Sequence, residues 1–401
     1  MSKLGLILGI ATTLMTPYLL HAEDALKLTV SSGKFDRFET PTFFDLPAGA
    51  TATSWQLRDD AGTMLPVQLL KGEKRGIFIL PELKAGLTRT YTLLPATGPA
   101  TDEVLVKRDG KFLKISVDGK EVIQFAAQEI PPPEGVTPEF QRGGYISAVF
   151  APSGKLVSDD YPKQHKHHHG IWWAWTKASF EGRATDFWNM GDKKGKVEPV
   201  GEPSFESGPV FGHFSSAQAF IDLTAPKPVV ALNEKWDVWI YRVGKGEKKV
   251  SLFELVSKQE CATDAPLKLP KYHYGGVGYR GSKEWDGAEK TFFLTSEGKT
   301  RVNGNATRGR WCHVGGMIDG ALAGIAILDH PANFQHPQPM RLNPTEPFFC
   351  FAPSQAGDWE IASGKPYVSR YRFAVSDGAP EKGEIERLWN DFASPPEVQV
   401  K

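Results

Sequence analysis

Forty glycines and thirty prolines are scattered through these 401 residues, and the apolar segments between them are short. Frequent turn residues leave little room for long helices and favour runs of about four to eight residues in extended form. Leu26-Lys27-Leu28-Thr29-Val30 and Trp55-Gln56-Leu57-Arg58 alternate apolar with polar, and Asp59-Asp60-Ala61-Gly62 is a turn. Gly76–Leu80 and Thr90–Leu94 complete a set of strands over residues 23–98 that suits a small β-sandwich, and Pro95–Thr101 has the composition of a linker. A hairpin signal follows: Val104–Lys107, the turn Arg108-Asp109-Gly110, then Phe112–Val117. It opens a larger β-rich region, residues 104–378, in which Trp236–Tyr241 and Val250–Val256 are expected strands joined by a charged turn. Only residues 379–401 carry a helical period, with Ile385, Leu388, Trp389 and Phe392 on one face before Pro395-Pro396. There is no heptad or fixed-period repeat. The expected class is all-β: a small N-terminal β-sandwich, a large double-sheet domain and a short C-terminal helix and tail.

Residues 1–22 read as a signal peptide: Lys3, an apolar run from Leu4 to Leu20, and a cleavage site at Leu20-His21-Ala22. An uncleaved anchor is the competing reading. No later stretch reaches the ~20 apolar residues of a membrane helix, so a periplasmic or secreted chain is expected. The signal removes one of 47 basic residues, Lys3, and none of the 47 acidic ones, leaving 46 against 47. That balance gives no reason to expect nucleic acid or an anionic membrane as partner. Cys261, Cys312 and Cys350 are too few for a disulfide framework or a zinc knuckle and allow one bridge or none.

Four of the ten histidines lie at 165, 167, 168 and 169, followed by Gly170, Ile171, Trp172, Trp173, Ala174 and Trp175. Imidazoles titrate or bind metals near neutral pH, and indoles offer broad flat surfaces to sugars. Read as extended chain, the run puts His165, His167 and His169 on one face and His168 and Trp172 on the other. A metal triad of His165, His167 and His169 then needs carboxylates from elsewhere, since no local HExxH or two-His-one-carboxylate spacing exists. Solvated or internally satisfied imidazoles are the alternative.

Further candidates lie downstream. Asp186-Phe187-Trp188 joins a carboxylate to an aromatic pair, as sugar clefts and ordinary turns both do. In Lys271–Gly281 the glycines at 275, 276 and 278 lack the order of a phosphate loop or dinucleotide site, and instead suit close backbone approach, with His273, Tyr279 and Arg280 able to face a site. His330 and His336 stand in a loop after the apolar run Ala323–Leu328, and Glu254 is a charge inside an otherwise apolar strand. No G-x-S-x-G elbow supports a serine nucleophile.

Taken in order, the motifs from His165 to Trp175, Asp186-Phe187-Trp188, His273 to Arg280, His330-Pro331 and His336-Pro337 resemble the bacterial family labelled methane oxygenase PmoA. The resemblance covers roughly residues 104–378, and the preceding β-domain is similar to that family's N-terminal module. Members often carry Asp-His-Pro-His-His-Arg-Gly at the first motif, where this chain has Gln164, Lys166 and His169. The label does not transfer a function, because the methane monooxygenase subunit of that name is an integral membrane protein. The resemblance implies an exported protein whose double β-sandwich is akin to the galactose mutarotase superfamily. Members are frequent in bacteria that degrade plant and algal polysaccharides. In mutarotase-like folds a histidine acid and a carboxylate base line the concave sheet, and related lyases use His with Tyr or Arg.

The function expected from these readings is an exported carbohydrate-processing enzyme that cleaves, epimerises or eliminates at a sugar. His167 or His168 moves the proton, with His273, Glu254 or Asp186 as partner acid or base. Arg280 holds a carboxylate, sulfate or hydroxyl, Trp172, Trp188 and Tyr279 stack on the sugar, and His165, His330 and His336 complete the binding set. No cofactor is required by this reading. The alternatives are a glycan-binding protein without catalysis and an enzyme with a divalent metal held by the histidines.

Overall fold

The computed structural model describes residues 26–96, 101–244 and 249–401; the segment expected to be a signal peptide and part of the expected linker lie outside them. The N-terminal strands form two facing antiparallel sheets. One has three strands, Thr40–Asp45, Arg75–Leu80 and Gln68–Leu69. The other has five, and its edge is supplied by the far end of the chain: Glu397–Val400 pairs with Leu26–Ser31, so Leu28 opposes Val400. Alternation decides what is buried. Leu28, Val30, Leu57, Phe78, Leu80 and Leu93 point between the sheets and are fully enclosed.

The larger domain is built on two eight-stranded antiparallel sheets with an apolar core between them, and a four-stranded sheet of short strands (Arg183–Thr185, Ala178–Phe180, Leu267–Leu269 and Trp359–Ile361) joins them. The first sheet runs Met340–Leu342, Phe348–Phe351, Gly276–Arg280, Ile171–Ala174, Tyr145–Val149, Lys120–Ala126, Phe112–Val117 and Val104–Asp109. The second contains the long strands Phe211–Asp222, Val229–Tyr241, Val250–Cys261 and Tyr367–Asp377. Trp172, Trp173 and Trp175 are wholly buried. Trp173 and Trp175 reach toward the second sheet, against Tyr367 and Tyr371, while Trp172 packs on the opposite face against His168, Trp188 and Phe348. Trp172 is therefore not an exposed stacking surface. Cys261, Cys312 and Cys350 are all free thiols.

The helix over Lys382–Ala393 lays Ile385, Leu388 and Phe392 on the outer face of the second sheet, against Trp311, Leu328 and Ala374. It also clamps the small sandwich: Arg37 is buried and pairs with Asp391 at 2.9 Å. Among the described residues no helix is long and apolar enough to cross a membrane.

Beneath this helix His313 is enclosed, with neither ring nitrogen hydrogen-bonded, and a Cβ at Gly324 would sit 2.4 Å from its ring. Burial pushes its pKa down to about 3. Between the ordinary value of 6.5 and 3 the unfolded chain binds a proton there that the folded chain refuses. Stability therefore falls as pH drops through that window, by about 1.4 kcal/mol per pH unit for one proton. Denaturant titrations from pH 7 to 4 are expected to show this slope reduced by about one proton in His313→Asn; an identical slope in both proteins would refute the assignment.

Candidate active site

The histidine run does not continue as extended chain. The amide of His165 donates to Pro162 O (3.1 Å) and that of His168 to His165 O (2.9 Å), a turn centred on Lys166 and His167. The turn reverses the expected facing. His165 and His168 stack in parallel with ring centroids 4.7 Å apart, and His167 stands edge-on to His168 at 4.9 Å. His169 leaves the group: its Nδ1 donates to Asp160 Oδ1 at 2.6 Å, under the ring of Tyr145. The triad of His165, His167 and His169 is thus replaced by a cluster of His165, His167 and His168.

These three imidazoles line a pocket of about 310 Å³ with Trp188, Asn189, His273, Tyr274, Arg341, Asn343 and Phe348. Its walls come from neighbours in the first sheet. Gly276–Arg280 lies between Ile171–Ala174 and Phe348–Phe351. Two glycines permit this. Gly276 has φ +125° and a Cβ there would lie 2.6 Å from Phe351 O, while a Cβ at Gly278 would press on the Trp172 indole at 2.9 Å. The glycine-rich stretch therefore serves close strand approach and not ligand contact.

His168 is sandwiched between His165 and Phe348 (4.5 Å) and rests on Trp172 (5.1 Å). Burial, reinforced by the neighbouring His167 and His165, holds its pKa well below 6.5. Burial and then His165 lower His167 to about 4. Both rings are neutral at pH 7. His273 is exposed at the rim, its pKa lowered by partial burial and by Arg341. Tyr274 OH meets Asn189 Nδ2 at 3.1 Å, and burial pushes that phenol up to about 12.

Asp186 lies behind the pocket. Its Oδ1 accepts from the amides of Trp188 (3.0 Å) and Asn189 (2.9 Å), and its Oδ2 from Thr176 Oγ1 (2.9 Å), Lys177 N (3.3 Å) and Asn189 Nδ2 (3.0 Å). A carboxylate so engaged organises the loop that carries Trp188 and Asn189; it is not a free base. Arg280 is likewise buried, between Glu346 (2.7 Å) and Asp286. The guanidinium that reaches the pocket is that of Arg341. Tyr279 is core, its hydroxyl donating to Val157 O.

Glu254 belongs to the second sheet, where it pairs with Arg372 and accepts from Tyr241 OH at 3.3 Å. His330 packs on Phe392 of the C-terminal helix, and His336 pairs with Asp329 at 2.8 Å beside Trp389. These three residues therefore brace the helix, outside the pocket. Buried charges had to find partners, and the second sheet and helix supply them.

Arg341, Asn343 and Phe348 complete the pocket, with Glu346 beside it against His165, and none of the four carries a local motif. Glu346 Oε2 lies 3.0 Å from His165 Nδ1 and 2.7 Å from Arg280 Nη1. Burial would raise its carboxyl, but the contacts with His165 and Arg280 outweigh this and lower it. The one signal in the sequence was indirect: an arginine on a glycine-rich apolar strand calls for a buried carboxylate.

The fold and pocket define a two-domain β-sandwich protein with a histidine-lined cleft at one edge of the larger sandwich. The chain belongs to the family of unknown function DUF6807, whose sequence profile matches residues 113–390. No curated protein matches it. Among solved structures it is similar to an alpha-mannosidase from Enterococcus faecalis V583, at 11% identity and TM-score 0.53 over 94% of this chain and 46% of that one. A glycosyl hydrolase family 38 protein from Enterococcus faecalis aligns at 10% identity and TM-score 0.48, over 95% and 48%. The chain spans about half the length of these structures. At such identity the first likeness speaks for the β-sandwich fold.

Proposed function

We propose that the pocket is the active site of an exported carbohydrate-processing enzyme. The observation that carries this reading is the meeting of His165, His167, His168 and His273 with Trp188, Tyr274 and Phe348 in one concavity. Clustered imidazoles beside aromatic faces suit a sugar ring, which offers an apolar face and hydroxyl edges together. His273 moves the proton, because its ring is accessible and has no hydrogen-bond partner among the described residues. Tyr274, half-buried at the wall, carries the sugar; Trp188, expected as a second stacking face, is only 1% exposed and backs that wall instead. Arg341, Asn343 and His167 hold its hydroxyl or carboxylate groups, the role expected earlier of Arg280.

The test is a panel of plant and algal oligosaccharides, neutral, uronic and sulfated, incubated with the full chain and followed by mass spectrometry. Cleavage, elimination or epimerisation of at least one member is expected, and is expected to be lost in Tyr274→Ala. Saturable binding without any product across the panel would instead make the protein a glycan-binding module.

A further inference from the structure

We propose that His165, His168 and Glu346 hold a divalent transition-metal ion in this pocket, with zinc the ion that the donor set suits. One ligand atom from each of the three lies within 4.8 Å of the others. Two imidazole nitrogens and a carboxylate oxygen form a three-ligand set of the kind that binds zinc and leaves a fourth position open. Two nitrogens among three donors disfavour calcium and magnesium, which take oxygen.

The second observation is the state of His168. Its side chain is 3% exposed, and its enclosed Nδ1 meets no hydrogen-bond partner. A neutral imidazole presents one N–H and one lone pair, so an enclosed Nδ1 without a partner leaves polar capacity unanswered where water is scarce. A cation beside it answers the lone pair. Glu346 supports the same reading. Arg280 and His165 both contact its Oε2, while Oε1 has no protein partner among the described residues. Asp286 also pairs with Arg280, so the carboxylate is not alone in balancing that guanidinium.

Zinc–ligand bonds of about 2.0–2.2 Å place tetrahedral donor atoms roughly 3.3 Å apart. The widest pair must therefore close by up to about 1.5 Å. His165 is the ligand able to move, since it sits at the turn and is 38% exposed. His168, packed against Phe348 and Trp172, is the fixed one. Asn343 and His167 line the same pocket, from which a water or a sugar oxygen would reach the ion. This deepens the reading of the pocket as the reactive site and removes His168 from the candidates for proton transfer.

The experiment uses the full chain purified without a histidine tag, stripped with chelator and titrated with Zn²⁺, with Co²⁺ as spectroscopic probe. One equivalent of zinc and visible Co²⁺ bands of a four-coordinate nitrogen–oxygen site are expected. His165→Ala and Glu346→Gln are each expected to weaken zinc binding by at least ~100-fold, while His273→Ala keeps it. Circular dichroism of each variant separates lost binding from lost folding. Absence of stoichiometric zinc, or binding unaffected by both ligand variants, overturns the proposal. Zinc bound with no product from any glycan leaves the metal site standing and defeats the carbohydrate reading; product formed from a glycan by a protein that takes up no stoichiometric zinc does the reverse.

Discussion

Replacing His273 with alanine is expected to lower turnover of a glycan substrate by roughly 10²–10⁴-fold, the usual contribution of a positioned acid–base group. The loss is expected in kcat more than in KM, because the ring acts on a proton and not on the bulk of the sugar. Its exposure at the rim means the substitution creates no core cavity, so the melting temperature should hold within a degree or two. His273→Gln, which keeps hydrogen bonding but cannot take up a proton, is expected to match alanine. Steady-state kinetics on the two variants decide the point. Wild-type turnover in either one would remove His273 from the chemistry.

The second large effect is on stability. Asp186→Ala withdraws one buried carboxylate from five donors: the amides of Lys177, Trp188 and Asn189, the hydroxyl of Thr176 and the amide side chain of Asn189. Hydrogen bonds to charged groups contribute about 1.5–3 kcal/mol each, and the losses do not add fully. A net cost on the order of 3–5 kcal/mol is expected, read as a drop in the denaturation midpoint. The same change should loosen Trp188 and Asn189, and through Asn189 the phenol of Tyr274. Activity at temperatures where the variant is still folded is thus expected to fall through KM. An unchanged midpoint would show that the loop is held by other means.

Much of the fold was legible because β-structure writes a local record. Period-two alternation in Leu26–Val30, Trp55–Arg58 and Phe112–Val117 marks strands that the structure contains, and the 3.6 period of Ile385, Leu388 and Phe392 marks the helix. The last strand, Glu397–Val400, was not legible, because its reason for existing is the open edge of Leu26–Ser31 at the other end of the chain.

For the site, the sequence by itself determined the place. A density of imidazole at 165–168, Trp188 and His273 each stood out by residue type alone, and all of them line the pocket. Tertiary structure decided the roles. A single turn at Lys166 and His167 replaced extended geometry, so that His165 faces His168 and His169 is withdrawn to Asp160. Sheet order brought Arg341, Asn343, Glu346 and Phe348 beside residues about 170 positions earlier. Burial turned Arg280, Glu254 and Asp186 from candidate reagents into paired supports. The reason is physical. A residue's type and its neighbours in sequence fix its local period, whereas its charge state and its partners depend on which distant strands exclude water around it.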